Sequence, residues 1–357
     1  MRSSASDHLY RVLKNRICEE VYQGTYAEGD NLPPERAIAE TFGMSRVTVR
    51  KALALLEDEG IIERQQGSGN RVVLASESRI TDVDLIAVLA PAQNVFFGAF
   101  IDHFQQTAEE SDSLVLFKQI PRGHCPEDTV FRLYQKGIRN VVLWLEDQTV
   151  DPQRVRRLCG LGMHMVFFDV VPVSDWADGV MLDNDHAIGT LIKCIRSRGL
   201  NRIAYVGWDN ETISAVRERE FAFLRRMTGR GRSADVMHLA WADKAALRDQ
   251  AEACVRVLVE AIRAAGEEGA GGRTVPDALL CGDGEIGVAL RRSLDAVGLS
   301  RILVVSPDDF PEARALSIPV YRQDFEALAA KSYQCLQRQN RPGWSAGTYR
   351  VRGELVE

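Results

Sequence analysis

Residues 32–50 constrain this chain more than any other stretch. They read Leu-Pro-Pro-Glu-Arg-Ala-Ile-Ala-Glu-Thr-Phe-Gly-Met-Ser-Arg-Val-Thr-Val-Arg. Pro33 and Pro34 cannot continue a helix from upstream but are preset to begin one, and Glu35 brings a carboxylate to its positive end. Gly43 supplies the left-handed residue that a helix end favours, and Ser45, two residues on, is a good cap for the next helix. The expectation is two short helices joined by a tight turn. In the second helix Val49, Leu53 and Leu56 recur at helical spacing as a buried stripe. Arg46 and Arg50 then lie one turn apart on a neighbouring, outward face, with Thr48 nearby.

Beyond Gly60, the runs Ile-Ile-Glu-Arg-Gln (61–65) and Arg-Val-Val-Leu (71–74) flank Gln-Gly-Ser-Gly-Asn (66–70) and read as two strands around a glycine turn, a wing. Over residues 8–74 this order resembles the GntR family of winged-helix regulators. That family's pattern of Leu-Pro-Ser-Glu-Arg, Ser-Arg-x-Thr-Val-Arg, Leu-x-x-Leu-x-x-x-Gly and a final Gly-x-Gly is met nearly throughout. Pro34 stands where Ser or Ala is usual and Asn70 where Thr is common, and neither change removes a charge. The resemblance implies a winged helix-turn-helix (α+β) domain over residues 1–74 that binds double-stranded operator DNA. Arg36, Ser45, Arg46, Thr48 and Arg50 would meet phosphates and base edges, and Gln66, Gly67, Ser68 and Gly69 would bring the wing tip to the minor groove. A good bidentate arginine-to-guanine contact is worth ~1–3 kcal/mol of discrimination.

Residues 1–75 carry ten Lys/Arg and eleven Asp/Glu, so the segment is not basic as a whole. The signs are segregated instead: Ser45 to Leu56 holds Arg46, Arg50 and Lys51 and no acid, while acids gather at 19–40 and 57–63. One copy should therefore bind DNA modestly and with strong salt dependence, which leads to the expectation of a homodimer on a two-fold operator.

At 357 residues the chain is too long for one such module. Residues 75–83 break all periodicity and read as a linker, and 266–273 as a surface loop. From Asp84 onward apolar runs of strand length alternate with helical stretches. Leu85–Ala90, Leu114–Lys118, Val141–Leu145 and Met163–Phe168 form one series. After a short strand at Gly179–Leu182 come Arg202–Val206, Asp235–Leu239, Ala278–Cys281 and Arg301–Val305. That alternation means parallel sheets covered by helices, in two lobes.

The order of landmarks over residues 84–357 resembles the sensor domain of the LacI/GalR family, itself similar to periplasmic binding proteins. The matching points are Asn94 to Phe97, Asp169, Leu182 to Asn184, Asn201 to Gly207, Arg217 before Phe221, Cys281 to Asp283, Val304 to Asp309, and Arg322 to Phe325. Glu220 replaces a usual Gly, Gly282 a frequent Asn or Ser, and Ser306-Pro307 a Gly plus an aromatic. The whole chain is similar to arabinose-type repressors, which join these two architectures. The resemblance implies a two-lobed α/β domain over 84–357, with lobes of about 84–182 plus 323–357 and of 183–322, that takes up a small-molecule effector, a sugar first of all. Ligands in such folds sit at the strand carboxyl ends. By that rule Asn94, Phe96, Glu146, Asp147, Asp169, Trp208 and Asp209 are candidate effector contacts, and the family match adds Arg217, Asp283, Asp308 and Gln323. Acids, amides and arginine pair with sugar hydroxyls, and an aromatic ring covers the sugar's C–H face. Trp144 and the paired phenylalanines read better as core.

Other classes are disfavoured. No phosphate loop, nucleophile elbow or dinucleotide glycine signature supports an enzyme, and the carboxylates serve equally as hydroxyl acceptors. The cysteines number seven and include no Cys-x-x-Cys, and neither His124-Cys125 nor Asp183 to His186 has metal-ligand spacing, so no cofactor or metal is expected. No run of eighteen apolar residues exists to span a bilayer, and the N-terminus lacks the apolar core of a signal peptide. A cytoplasmic protein is the expectation, against the alternatives of a solute-binding protein for transport or a carbohydrate-active enzyme.

Overall fold

The computed structural model describes residues 3–65, 69–74, 83–90, 95–120, 123–145, 148–172, 175–228, 235–267, 275–341 and 343–357. The chain opens with α1 (Ser3–Gln23), α2 (Glu35–Phe42) and α3 (Arg46–Asp58), followed by β1 (Ile62–Gln65) and β2 (Gly69–Val72). Gly43 is left-handed at φ 60°, and its backbone N–H closes the end of α2 on the carbonyls of Ala39 and Glu40. The Ser45 hydroxyl accepts the Thr48 N–H at 3.2 Å and starts α3. Val49, Leu53 and Leu56 are buried against α1 and the wing, as their spacing predicts. The antiparallel β1 and β2 pair from Ile62 with Val72 to Gln65 with Gly69.

Next come β3 (Leu85–Ala90), α4 (Val95–Glu109), β4 (Leu114–Gln119), α5 (Pro126–Gln135), β5 (Asn140–Leu143), α6 (Pro152–Gly160), β6 (His164–Phe168) and β7 (Asp178–Leu182). The second series runs α7 (Asn184–Ser197), β8 (Ile203–Trp208), α8 (Ser214–Met227), β9 (Asp235–Leu239), α9 (Leu247–Glu267), β10 (Ala278–Cys281), α10 (Gly284–Ala296) and β11 (Leu303–Val305). The chain ends with β12 (Val320–Arg322), α11 (Phe325–Gln339), β13 (Thr348–Val351) and β14 (Glu354–Val356). Between β9 and β10 the helix α9 begins only at Leu247, after a 3-10 turn at Trp241–Ala246 in which Asp243 leaves helical geometry.

One sheet has the order β13-β7-β6-β5-β3-β4, and another has β11-β10-β8-β9. From β4 to β7 and throughout the second sheet the pairings are parallel. Strand order reverses beside the first strand of each series, between β3 and β5 and between β8 and β10. A doubly wound sheet opens its ligand crevice at such a reversal, at the carboxyl ends of the strands. Both sheets are buried where helices cover them, so their strands read as continuous apolar runs.

The chain divides into two compact units, Met1–Val180 with Ala329–Tyr349, and Met181–Leu328 with Arg350–Glu357. This corrects the expected lobe boundaries. Residues 323–328 and 350–357 belong with the second unit, because β12 and β14 pair with each other and pack beside α7. The winged helix also falls within the first unit rather than standing alone.

Candidate functional site

At the amino end of α3, Ser45, Arg46 and Val47 are exposed, Val47 to 65% of its surface, and Arg50 is exposed one turn on. Local hydrogen bonds hold this tip. Ser45 caps the helix through its hydroxyl oxygen, which also lies 2.8 Å from the Thr48 hydroxyl. Thr48 is itself buried, so it braces the cap rather than facing outward as a reader would. The Arg50 Nε–H donates to Glu35 at 2.8 Å and the Arg36 Nε–H to Glu40 at 2.9 Å, both on exposed surface. Exposed pairs of this kind are worth ~0–1 kcal/mol, so a phosphate can displace them cheaply. Gly69 opens β2 at φ 92°, a conformation that a side chain would strain. Gln66, Gly67 and Ser68 lie outside the described residues. Val47 was not among the expected readers, although it lies two residues off the Val49 stripe and so on the opposite face.

In the second unit, the carboxyl ends of β8, β10 and β11 carry Trp208, Asp283 and Asp308. The Trp208 indole N–H donates to Asp283 across the strand reversal between β8 and β10. Asp283 also caps α10 by accepting the Ile286 N–H at 2.8 Å. Its enclosed carboxyl is pushed up to about 6, chiefly by burial; the cap bond opposes this and the nearby Asp308 adds to it. Trp208 is buried, with Trp241 edge-on to it at 5.5 Å and the Lys244 ammonium 4.8 Å from the Trp241 ring centre. Trp208 therefore supplies a hydrogen-bond donor and a floor rather than an open ring face, while Trp241, missed from sequence, keeps part of its surface exposed.

Asp308 is tied down by a residue that sequence reasoning also missed. Arg219, 5% exposed, donates Nη1 and Nη2 to the two carboxylate oxygens of Asp308 at 2.9 Å each. It further donates Nε to Asn184 at 2.9 Å and Nη1 to the Gly282 carbonyl at 2.8 Å. The Gln323 amide donates to the same Asp308 at 2.6 Å. A buried bidentate pair with every partner satisfied is a rigid arrangement. Arg217, the arginine expected from the family pattern, is exposed on α8 and makes none of these contacts. The signal for Arg219 was present in the sequence, since Ala215, Arg219, Ala222 and Phe223 share the buried stripe of α8. Asp209, also expected, is exposed, and its carboxylate accepts the Trp241 N–H at 2.7 Å.

In the first unit, Asp169 follows β6 in a left-handed conformation at φ 56°, with its N–H bonded to the Val180 carbonyl at 2.8 Å. Non-glycine residues adopt this backbone at a cost and cluster at ligand clamps, with Asp among the more tolerant types. Trp144 sits just beyond β5, half-buried, edge-on to Phe168 at 5.1 Å. Asn94, Glu146 and Asp147 lie outside the described residues, as does the side chain of Phe96. Among the described residues there is no group of three His, Cys, Asp or Glu that could hold a metal, and no helix long and apolar enough to cross a membrane.

The chain is similar to known proteins in two separate parts. Residues 9–72 match the family described as bacterial regulatory proteins, gntR family, and residues 192–356 match the periplasmic binding protein-like domain. The mannosyl-D-glycerate transport/metabolism system repressor MngR of Escherichia coli is 48% identical over 64 residues, 18% of this chain and 27% of that protein. This chain thus spans about a quarter of the length of the curated relatives it matches. A LacI transcriptional regulator from a Rhodococcus species superposes with a TM-score of 0.62 at 17% identity, over 76% of this chain and 96% of that one. A periplasmic binding protein/LacI transcriptional regulator from Alkaliphilus metalliredigens, complexed with D-xylulofuranose, gives 0.61 at 14% identity, over 77% and 97%. At such identities the likeness establishes the fold.

Proposed function

We propose that this chain, a GntR-type helix-turn-helix domain joined to a periplasmic-binding-protein-like domain, is a DNA-binding transcriptional regulator controlled by a small-molecule effector. The observation that carries the reading is the amino end of α3. It presents Arg46, Val47 and Arg50 outward from a capped, rigidly braced helix start. Such a helix fits the major groove, where arginine forks read guanine and an apolar side chain reads the thymine methyl. Repression, as in the relative named a repressor, follows if the bound regulator occludes a promoter.

The effector is a sugar or a molecule with similar hydroxyls, held by the carboxyl-end residues of the second unit's sheet. Asp283 and Asp308 with Gln323 supply acceptors and donors there, and Trp241 the apolar surface. A neighbour of the same fold is complexed with D-xylulofuranose, which supports that ligand class. The modest charge of the DNA domain favours a homodimer acting on two half-sites, in the cytoplasm where the DNA lies. No catalytic step is needed.

The test is an electrophoretic shift of the chain's own promoter DNA. The unmodified chain should retard it, and Arg46→Ala combined with Arg50→Ala should abolish the shift while leaving the circular dichroism spectrum unchanged. Intact binding by that double variant would overturn the site assignment.

A further inference from the structure

A DNA head joined to its sensor through residues 75–83 would be free to swing if only that segment connected them. The first unit contradicts this picture, because α1 is packed on two sides. One side lies against α3, with the Lys14 ammonium 2.6 Å from Glu59. The other side lies against α5 and α6 of the sensor domain. The Tyr22 ring stacks on Phe131 of α5 with centroids 4.5 Å apart and planes within 6°, and its hydroxyl donates to Asp128 at 2.7 Å. The Arg157 guanidinium of α6 donates to the Tyr22 carbonyl at 3.2 Å. The Cys18 thiol lies 3.2 Å from the Tyr134 hydroxyl, both fully enclosed.

Two further contacts lie away from α1. Arg156 of α6 meets Glu28 at 2.7 Å, and Leu74, at the end of the wing, lies so close to Gly160 that a Cβ there would fall 2.7 Å from the leucine side chain. Buried residues of the head and of α5, α6 and their strands belong to one continuous apolar cluster. Interiors packed in this way behave as one solid rather than as two bodies in loose contact.

We infer that the DNA-reading head and the first sensor lobe form a single rigid body, fused through the face of α1 that carries Cys18 and Tyr22. Any displacement of that lobe carries Arg46 and Arg50 with it, and the 75–83 segment need not transmit the signal. The fusion itself does not depend on the regulatory reading; only its use in signalling does.

Cys18 reports on the seam, because a swinging head would uncover it. The full-length protein is treated with N-ethylmaleimide under native conditions, and each cysteine peptide is quantified by mass spectrometry. The half-buried Cys125 is the fast reference, and the buried Cys254 and Cys281 of the second unit are fold controls. Cys18 should react at least ~100-fold more slowly than Cys125, in keeping with the roughly solid packing of a protein interior. Phe131→Ala, a change on the sensor side only, should speed Cys18 by at least ~10-fold by opening a cavity beneath Tyr22, with Cys254 and Cys281 unaltered. Cys18 reacting as fast as Cys125 in the unmodified chain would overturn the inference, and so would a folded Phe131→Ala protein with an unchanged Cys18 rate. Neither readout involves DNA or effector, so the fusion and the regulatory reading fail separately.

Discussion

Replacing Arg219 by Met keeps the length of the side chain but removes every charge-assisted bond to Asp308. The carboxylate, 3% exposed, would then retain only the Gln323 amide, while Asn184 and the Gly282 carbonyl each lose a donor. Breaking one side of a buried ion pair costs ~3–5 kcal/mol, mostly because the surviving charge stays buried without its partner. In a domain of roughly 150–250 residues each kcal/mol moves Tm by ~2–4 °C, so the loss should be roughly 6–20 °C. Asp308→Leu alone strands the guanidinium and should cost a similar amount. With both changes neither charge of the pair is left, and the double variant should lose no more than either single one. Calorimetric melts of the four full-length proteins at pH 7 make the comparison. A drop of less than roughly 2 °C for Arg219→Met, or a double variant whose loss equals the sum of the singles, would refute the claim that this pair braces the candidate effector site.

Three further outcomes follow from the same geometry. Asp283 has a native value raised from 3.8 to about 6, so its contribution to stability is complete below pH 4 and is lost as pH rises through about 6, a swing of ~3 kcal/mol. Asp283→Asn should remove that dependence, and a wild-type minus variant difference in denaturation midpoint that stays flat from pH 4.5 to 7.5 would count against the buried carboxyl. Ser45→Ala removes the α3 cap and should cost ~1 kcal/mol, read as earlier melting of α1 to α3 by hydrogen exchange; unchanged exchange in those helices would show that the cap is idle. Arg46→Ala should lower operator affinity at every salt concentration and make the salt slope shallower by about one, whereas a slope equal to wild type would mean that this side chain meets no phosphate.

Local chemistry made the head legible from sequence. Gly43 and Ser45 mark a turn whatever surrounds them, and Val49, Leu53 and Leu56 announce which face of α3 is buried. The alternating elements of the sensor domain were equally plain as far as Val305, because strands buried on both faces are apolar throughout. Beyond that point β12, α11, β13 and β14 were not assigned, since three of them are short, mixed strands whose pairing is set by distant partners. Site residues were harder to place. Arg217 and Arg219 differ by two positions on α8, hence by more than half a turn; the family pattern pointed to the first, whereas the stripe of Ala215, Ala222 and Phe223 marks the second as the buried one, and its partner Asp308 comes from a distant part of the chain. Thr48 was read as a DNA contact because the family motif contains it, yet its hydroxyl is spent on Ser45. The packing of α1 against α5 and α6 joins residues more than a hundred positions apart, which no periodicity records.

The most direct measurement is a fluorescence-anisotropy titration of labelled promoter DNA with the full-length protein. It is repeated in saturating mono- and disaccharides, with nucleosides as controls. Allosteric coupling of ~1–3 kcal/mol would change operator Kd by ~5–150-fold, so at least one sugar should shift the curve by that much while nucleosides leave it unchanged. An operator affinity that no sugar in the panel alters would contradict the proposal that the sensor domain governs the DNA-reading helix.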